Sequence, residues 1–159
     1  AITINFPTPQ PKAKYAKKRL VHVDHLMLYR PLFAAGATVT LRTDSKPLRD
    51  YALGQFAAAG YGTLWVSDDV RRDHPEHPET EYECRTREMG AVVYGICVTS
   101  GEEPTEEQLA AGRAQEQSLA CYLPDDLDEL TYVPLGMEEA VENFKNRARK
   151  GKKRLPQER

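Results

Sequence analysis

The sequence has little cysteine and no long apolar run, and each shortage excludes a class of protein. Three cysteines in 159 residues are too few, and odd in number, for a disulfide framework, which favours a reducing compartment. No apolar stretch approaches the ~18–20 residues that a membrane span needs. The first ten residues lack the pattern of a signal peptide. These features predict a protein of the cytoplasm, or one within an assembled particle, that is neither secreted through a signal peptide nor embedded in a membrane.

Motifs of the common catalytic chemistries are also missing. The sequence has no G-x-S-x-G turn, and Gly60 to Gly62 are not followed by a Walker lysine. Cys97 lies in an apolar strand pattern, and Glu83 should raise the pKa of the neighbouring Cys84 thiol. The sequence therefore predicts a protein without enzymatic activity and without a cofactor. A small enzyme that depends on a metal or on carboxylates stays open as an alternative.

All four histidines fall into two pairs of equal spacing, His22-x-x-His25 and His74-x-x-His77, and Cys84 follows seven residues later. Imidazole and thiolate are zinc ligands, so these five side chains are the candidates for a metal site. Against this, the sequence has no C-x-x-C, and prolines interrupt the second pair in a polar loop. The prediction is that no metal is bound and that the histidines of this loop are exposed.

Charge is strongly segregated although the formal net charge is only −2. Residues 1–19 hold five bases and no acid, residues 145–159 hold eight bases and one acid, and residues 20–144 therefore carry −14. Such ends cannot be buried without partners. We expect both at the surface, where they dock on a protein partner or a like subunit, grip nucleic acid, or remain solvated.

The N-terminal segment has the pattern of an extended arm. Three prolines between residues 7 and 11 fix φ and remove amide donors, and the apolar side chains before them are typical of a strand that adds to a sheet edge. The predicted binding residues of the arm are Ile2, Ile4, Phe6, Lys12, Lys14, Lys17, Lys18 and Arg19. Those of the basic C-terminal tail are Lys145, Arg147, Arg149, Lys150, Lys152, Lys153 and Arg154.

The clearest structural unit is strand–helix–strand. Residues 37–43 alternate as a strand does, residues 48–59 repeat at helical spacing up to Gly60, and residues 63–66 resume a strand pattern. The helix has a capping residue before it and a proline in its first turn. This unit packs a helix on one face of a sheet.

The second half predicts further elements of both kinds. A buried strand is expected at 91–98 with residues 82–87 as its partner, a helix from 105 to 122, and a last helix from near Met137. The fold class is therefore α+β: a small mixed sheet of three to five strands with two or three packed helices. The predicted domains are the arm at 1–19, one globular domain at 20–144 and the basic extension at 145–159.

The N-terminal arm, the basic C-terminal tail and the lack of catalytic motifs predict a structural or adaptor subunit of a larger assembly, such as a virion or phage particle. Its partners would be other protein subunits, in a homo- or hetero-oligomer. The alternative is a nucleic-acid-binding accessory protein that grips phosphates with its basic ends.

Overall fold

The computed structural model describes residues 1–127 and 130–152, without the side chains of the last three. The strands β1 (Ile2–Asn5), β2 (Thr38–Thr43), β3 (Tyr61–Ser67) and β4 (Tyr94–Ser100) form one sheet in the order β1-β2-β4-β3. Strand β1 runs parallel to β2, and β4 is antiparallel to both β2 and β3. The mixed sheet confirms the predicted α+β class.

The described residues contain more helices than predicted. The α-helices are α1 (Val23–Tyr29), α2 (Lys46–Ala58), α3 (Val70–Asp73), α4 (Glu81–Glu88), α5 (Glu106–Ala114) and α6 (Glu138–Lys152). Short 3-10 helices lie at Ala13–Lys18, Arg30–Leu32 and Leu119–Tyr122. Helices α1, α3 and α4 have eight residues or fewer, and about two turns are too few for a repeating apolar pattern to show in the sequence.

The predicted strand–helix–strand unit is present as β2, α2 and β3. Ser45 caps α2 by accepting a hydrogen bond from the N–H of Leu48 at 3.3 Å, and Gly60 (φ 74°) turns the chain into β3. Strands β2 and β3 are not neighbours, because β4 lies between them.

Two local predictions are wrong. Residues 82–87 belong to helix α4, since Thr80 caps it by accepting from the N–H of Glu83 at 3.2 Å and its charges complement the helix dipole. Helix α5 starts at its predicted capping box but ends at Ala114. The carbonyl of Gly112 accepts instead from the side-chain amide of Gln55, at 2.7 Å, so it is not used to continue the helix.

The core lies between one face of the sheet and helices α1, α2 and α5. Val39 and Leu41 of β2 are fully buried in it, while Thr40 and Arg42 point to the opposite face, as alternation requires. Arg42 pairs there with a carboxylate of α4. Within the described residues, no helix is both long enough and apolar enough to cross a membrane.

His22 gives the fold a dependence on pH. Its side chain is 2% exposed, and its Nδ1 caps α1 by accepting from the N–H of Asp24 at 3.2 Å. Burial lowers the pKa of His22, and this outweighs the attraction of Asp24. A protonated Nδ1 also cannot accept the capping bond. The unfolded chain therefore binds this proton more readily, so stability is full above the unfolded pKa of about 6.5 and falls as the pH drops below it.

We expect His22→Asn to flatten this dependence, because asparagine retains a capping oxygen and does not titrate. Urea unfolding between pH 7.5 and 5 measures it, and one proton contributes at most ~1.4 kcal/mol per pH unit. His77→Asn, which removes an imidazole from a surface loop, is the control. Parallel profiles for wild type and His22→Asn would contradict the assignment.

Candidate functional site

A candidate site lies at the carboxyl ends of the parallel strands β1 and β2. Phe6 follows β1 directly and Asp44 follows β2 directly. In sheets with parallel strands, ligands bind in the crevice outside these strand ends. Phe6 and Gln10 both have left-handed backbone, with φ of 47° and 51°, which costs a non-glycine residue ~1–3 kcal/mol. Backbone strain is therefore concentrated where β1 leaves the sheet.

Asp44 is the charged centre of this edge and is 8% exposed. Its Oδ2 accepts hydrogen bonds from the phenols of Tyr132 at 2.7 Å and Tyr82 at 3.3 Å. Burial, reinforced by the Asp44 carboxylate, raises the pKa of both phenols. Both therefore stay protonated and donate at neutral pH. Within the described residues nothing donates to the other oxygen, Oδ1, which leaves it available to a ligand.

Aromatic rings and a cavity accompany the carboxylate. The ring of Phe6 lies 4.9 Å from that of Tyr82, with the planes tilted by 52°. A cavity of about 270 Å³ opens beside Asp44, close to the ~300 Å³ at which ligand pockets begin. Its walls include Asp44, Lys46, Tyr94, Tyr122, Tyr132 and Met137. Its size suits a single flat ring system.

A buried ion cluster holds α4, and with it Tyr82, against β2. Glu83 is fully buried and pairs with Arg42 and with Arg71, whose Nε lies 2.7 Å from Glu83 Oε1. Arg42 also donates from Nη1 to the carbonyl of Pro78 at 2.7 Å. Because a buried charge is tolerated only beside its partners, this cluster fixes the position of α4.

The predicted apolar anchor is not free to dock elsewhere. Ile2 and Ile4 lie in β1, and Ile4 is 6% exposed in the main core. The segment does add a strand to a sheet edge, but the sheet is that of its own chain. Ile4 pairs with Leu41, and both side chains are buried.

Arg19, predicted as a surface cation of the arm, is 1% exposed. Its Nη2 donates to the carbonyls of Gln10 and Gln117, both at 2.7 Å, and its Nε donates to those of Pro9 and Gln10 at 3.1 Å. Its guanidinium also lies 4.4 Å from the ring centre of Tyr51. These acceptors allow the charge to be buried, so Arg19 is a structural residue.

Other predicted cations lie on a 3-10 helix and on α6, two elements that line one cavity. Three lysines are exposed on the 3-10 helix Ala13–Lys18. Tyr15 of this helix and Arg147 of α6 line one cavity of about 430 Å³, so the fold joins the two basic ends of the sequence. We call Lys14, Lys17, Lys18 and Arg147 the basic surface.

The remaining predicted cations have other positions. Lys12 pairs with Glu139 of α6 at 2.8 Å. Lys145 and Arg149 lie on α6, as do Lys150 and Lys152, whose side chains are not described. Lys153 and Arg154 lie outside the described residues.

The candidate metal ligands are not brought together as one set. Nδ1 of His22 accepts a hydrogen bond from the N–H of Asp24, and Nδ1 of His25 is hydrogen-bonded to the carbonyl of Arg19. In the described part of the chain, the grouping of ligand-type side chains consists of His74, Glu76 and His77.

Cys84 is exposed on α4 and is not part of that group. Desolvation, followed by the charge of Glu79, raises the pKa of its thiol. The predicted direction agrees, although Glu83 contributes less than Glu79. The thiol is protonated at neutral pH and is a poor nucleophile.

Sequence reasoning missed the three residues at the centre of the site, Asp44, Tyr82 and Tyr132. The sequence does place Asp44 directly after a strand. This position indicates a site only once β1 is known to pair with β2 in parallel. Tyr132 lies 88 residues from Asp44, and no local pattern marks it.

The chain has recognisable relatives. A family model, Methyltransf_4, described as "Putative methyltransferase", matches residues 1–96. A protein of Streptococcus equi subsp. zooepidemicus is 31% identical over 97 residues, or 60% of this chain and 46% of that protein. One from Exiguobacterium sibiricum is 32% identical over 99 residues, or 62% and 46%. One from Alkaliphilus oremlandii is 34% identical over 94 residues, or 58% and 44%.

All three relatives are named tRNA (guanine-N(7)-)-methyltransferase. The match spans less than half the length of each. The family model, in contrast, covers more than half of this chain, including β1, β2 and the residues of the site up to Tyr82. The prediction of a non-enzymatic assembly subunit or virion component is therefore wrong, and the chain belongs to this methyltransferase family.

Proposed function

We propose that this chain forms the part of a tRNA (guanine-N7)-methyltransferase that binds the target guanine and the RNA backbone. The observation that supports this most directly is the position of Asp44, a nearly buried carboxylate between two phenols at the strand ends. The names of the relatives supply the substrate class. The basic surface supplies a complement to phosphate.

Methylation at guanine N7 makes limited demands on the protein. The N7 lone pair attacks the methyl carbon, the bond from that carbon to the donor breaks, and the purine takes up one positive charge. No proton leaves N7, so a general base is not needed. The protein must hold the base in line with the methyl group and stabilise the charge that develops on the ring.

Asp44 suits both tasks. Its second oxygen, Oδ1, has no donor among the described residues and can accept hydrogen bonds from guanine, which offers N1–H and the N2 amino group as donors. The negative charge of this nearly buried carboxylate also favours the cationic purine. The cavity beside it is lined by Tyr94, Tyr122 and Tyr132, and an aromatic face of this kind can stack on the base.

The described residues do not fit a nucleoside-bearing methyl donor. Such cofactors rest on a glycine-rich turn between a strand and a helix. In the described residues, β1 is followed by a segment rich in proline and β2 by Asp44 and Ser45 at the start of α2. This chain therefore supplies the binding of guanine and of RNA.

The basic surface contacts the phosphate backbone of the RNA. Lys17 and Lys18 are exposed and have no ion pair with a described carboxylate. Each phosphate that they neutralise releases counterions, which makes the affinity for tRNA depend on salt.

The test is tRNA binding by fluorescence anisotropy between about 50 and 200 mM salt. We expect Lys17→Gln/Lys18→Gln to weaken binding and to reduce the slope of log K against log salt by about 0.7–0.9 per lost contact. Arg72→Gln/Arg85→Gln, which removes two exposed cations elsewhere, is the control. Equal slopes for the two double variants would remove the basic surface from the proposal, and absence of tRNA binding by wild type would overturn the proposal itself.

A further inference from the structure

The loop between α3 and α4 brings together a set of metal-ligating side chains. Nδ1 of His74 lies 3.4 Å from Oε1 of Glu76, and Nε2 of His77 lies 3.8 Å from the same oxygen. One ligand atom from each of the three residues lies within 4.8 Å of the others. Each ring is half-buried and Glu76 is exposed, so the group opens to solvent on one side.

These separations are close to those of a tetrahedral site. Zinc binds nitrogen and carboxylate oxygen at about 2.0–2.2 Å, which places neighbouring ligand atoms ~3.4 Å apart. The two distances to Glu76 already have this size. Since all three ligand atoms lie within 4.8 Å of one another, small rotations of the three side chains bring them around one ion, with the fourth position left for water.

The surroundings hold both imidazoles in place. The ring of Trp65 stacks on His74 with the centres 4.0 Å apart and contacts the edge of His77 at 5.7 Å. The N–H of His77 donates to the carbonyl of His74 at 3.2 Å, which closes a turn. Pro75 and Pro78 restrict φ within and beside this turn. Two ligands therefore need little reorganisation to bind.

We propose that His74, Glu76 and His77 form a binding site for a late first-row divalent cation, with Zn²⁺ as the chemical type. Two imidazoles and one carboxylate suit zinc, nickel, cobalt and copper, whereas magnesium prefers an all-oxygen octahedron. The site lies away from Asp44, and its role is to tie down the loop that leads into α4. The proposal does not depend on the methyl-transfer function.

The single tryptophan of the chain is a built-in probe for this site. We expect Zn²⁺ to change, and Cu²⁺ or Ni²⁺ to quench, the fluorescence of Trp65 in the full chain with a stoichiometry of one, and Mg²⁺ to have no effect. Titration calorimetry with Zn²⁺ gives the affinity independently. Glu76→Gln, an exposed isostere, should weaken Zn²⁺ binding at least about tenfold, and so should His77→Ala.

Glu88→Gln, which removes one exposed carboxylate from α4 outside the group, should bind Zn²⁺ as wild type does. Far-UV circular dichroism checks that each variant is folded, and Glu76→Gln carries the test if His77→Ala is not. Lack of a response to Zn²⁺, Ni²⁺ and Cu²⁺ in the wild type would overturn the proposal. Unchanged Zn²⁺ affinity in folded Glu76→Gln would do so as well.

Discussion

Asp44→Asn should lower the rate of guanine N7 methylation about 100-fold, equivalent to ~2.7 kcal/mol. Asparagine retains the shape and one acceptor, so Tyr82 and Tyr132 still have a partner. It loses the charge that balances the methylated purine and places an amide donor opposite the donors of guanine. The affinity for tRNA should change little, because phosphate contacts supply most of it. The measurement is aniline-induced strand scission at N7-methylguanine in a tRNA transcript, after incubation with the methyl donor and with an enzyme in which this chain supplies the guanine site.

Two controls separate the role of Asp44 from general damage. Asp50→Asn makes the same change on α2, at a residue that pairs with Lys46 and Arg49, and should retain the wild-type rate. A transcript with 7-deazaguanine at the target cannot be methylated but should bind equally well, since its N1 and N2 groups are intact. Wild-type methylation by Asp44→Asn would show that the base is held elsewhere.

Glu83→Gln should destabilise the fold by about 3–5 kcal/mol. The carboxylate is fully buried between Arg42 and Arg71, and glutamine leaves two guanidinium groups without a counter-charge. Burial lowers the pKa of Arg42, and the charge of Glu83 opposes this decrease. Loss of that charge therefore leaves the buried guanidinium less stable. We expect a large decrease of the urea midpoint with little change of the m-value.

The neighbouring Glu81→Gln provides the matched comparison. Glu81 has an 85% exposed side chain and pairs with Arg85 one turn along α4, so its loss should cost less than about 0.5 kcal/mol. Similar midpoints for the two variants would mean that Glu83 is compensated by other groups.

The sequence was sufficient for features that depend on local periodicity. Strand β2, helix α2 and strand β3 follow directly from alternation, a capping serine and a terminal glycine. Helix α4 was predicted as a strand because Tyr82 favours strands. The signals for a helix are the Thr80 cap and the order of charges. The α+β class was predictable, whereas the order β1-β2-β4-β3 depends on long-range pairing that no local pattern contains.

The site at Asp44 was not predicted from the sequence, for a chemical reason as well as a structural one. Common catalytic motifs mark protein nucleophiles, general bases and metal ligands, whereas in N7 methylation guanine itself is the nucleophile and no proton leaves N7. Under the proposed function, the site therefore needs none of these protein groups. Asp44, Tyr82 and Tyr132 acquire meaning only when the fold places them in contact.

The contacts made by residues 9–19 also have a consequence for how the protein folds. Arg19 donates a hydrogen bond to the carbonyl of Gln117, which is 98 residues away, and Lys12 pairs with Glu139, which is 127 residues away. Contacts of such sequence separation carry a loop-closure cost before they contribute any stability, and topologies rich in them fold slowly. A nascent chain cannot complete the surroundings of Arg19 until Gln117 has been synthesised. The segment that follows β1 therefore reaches its native position only after most of the chain has been synthesised, and until then it is open to non-native contacts.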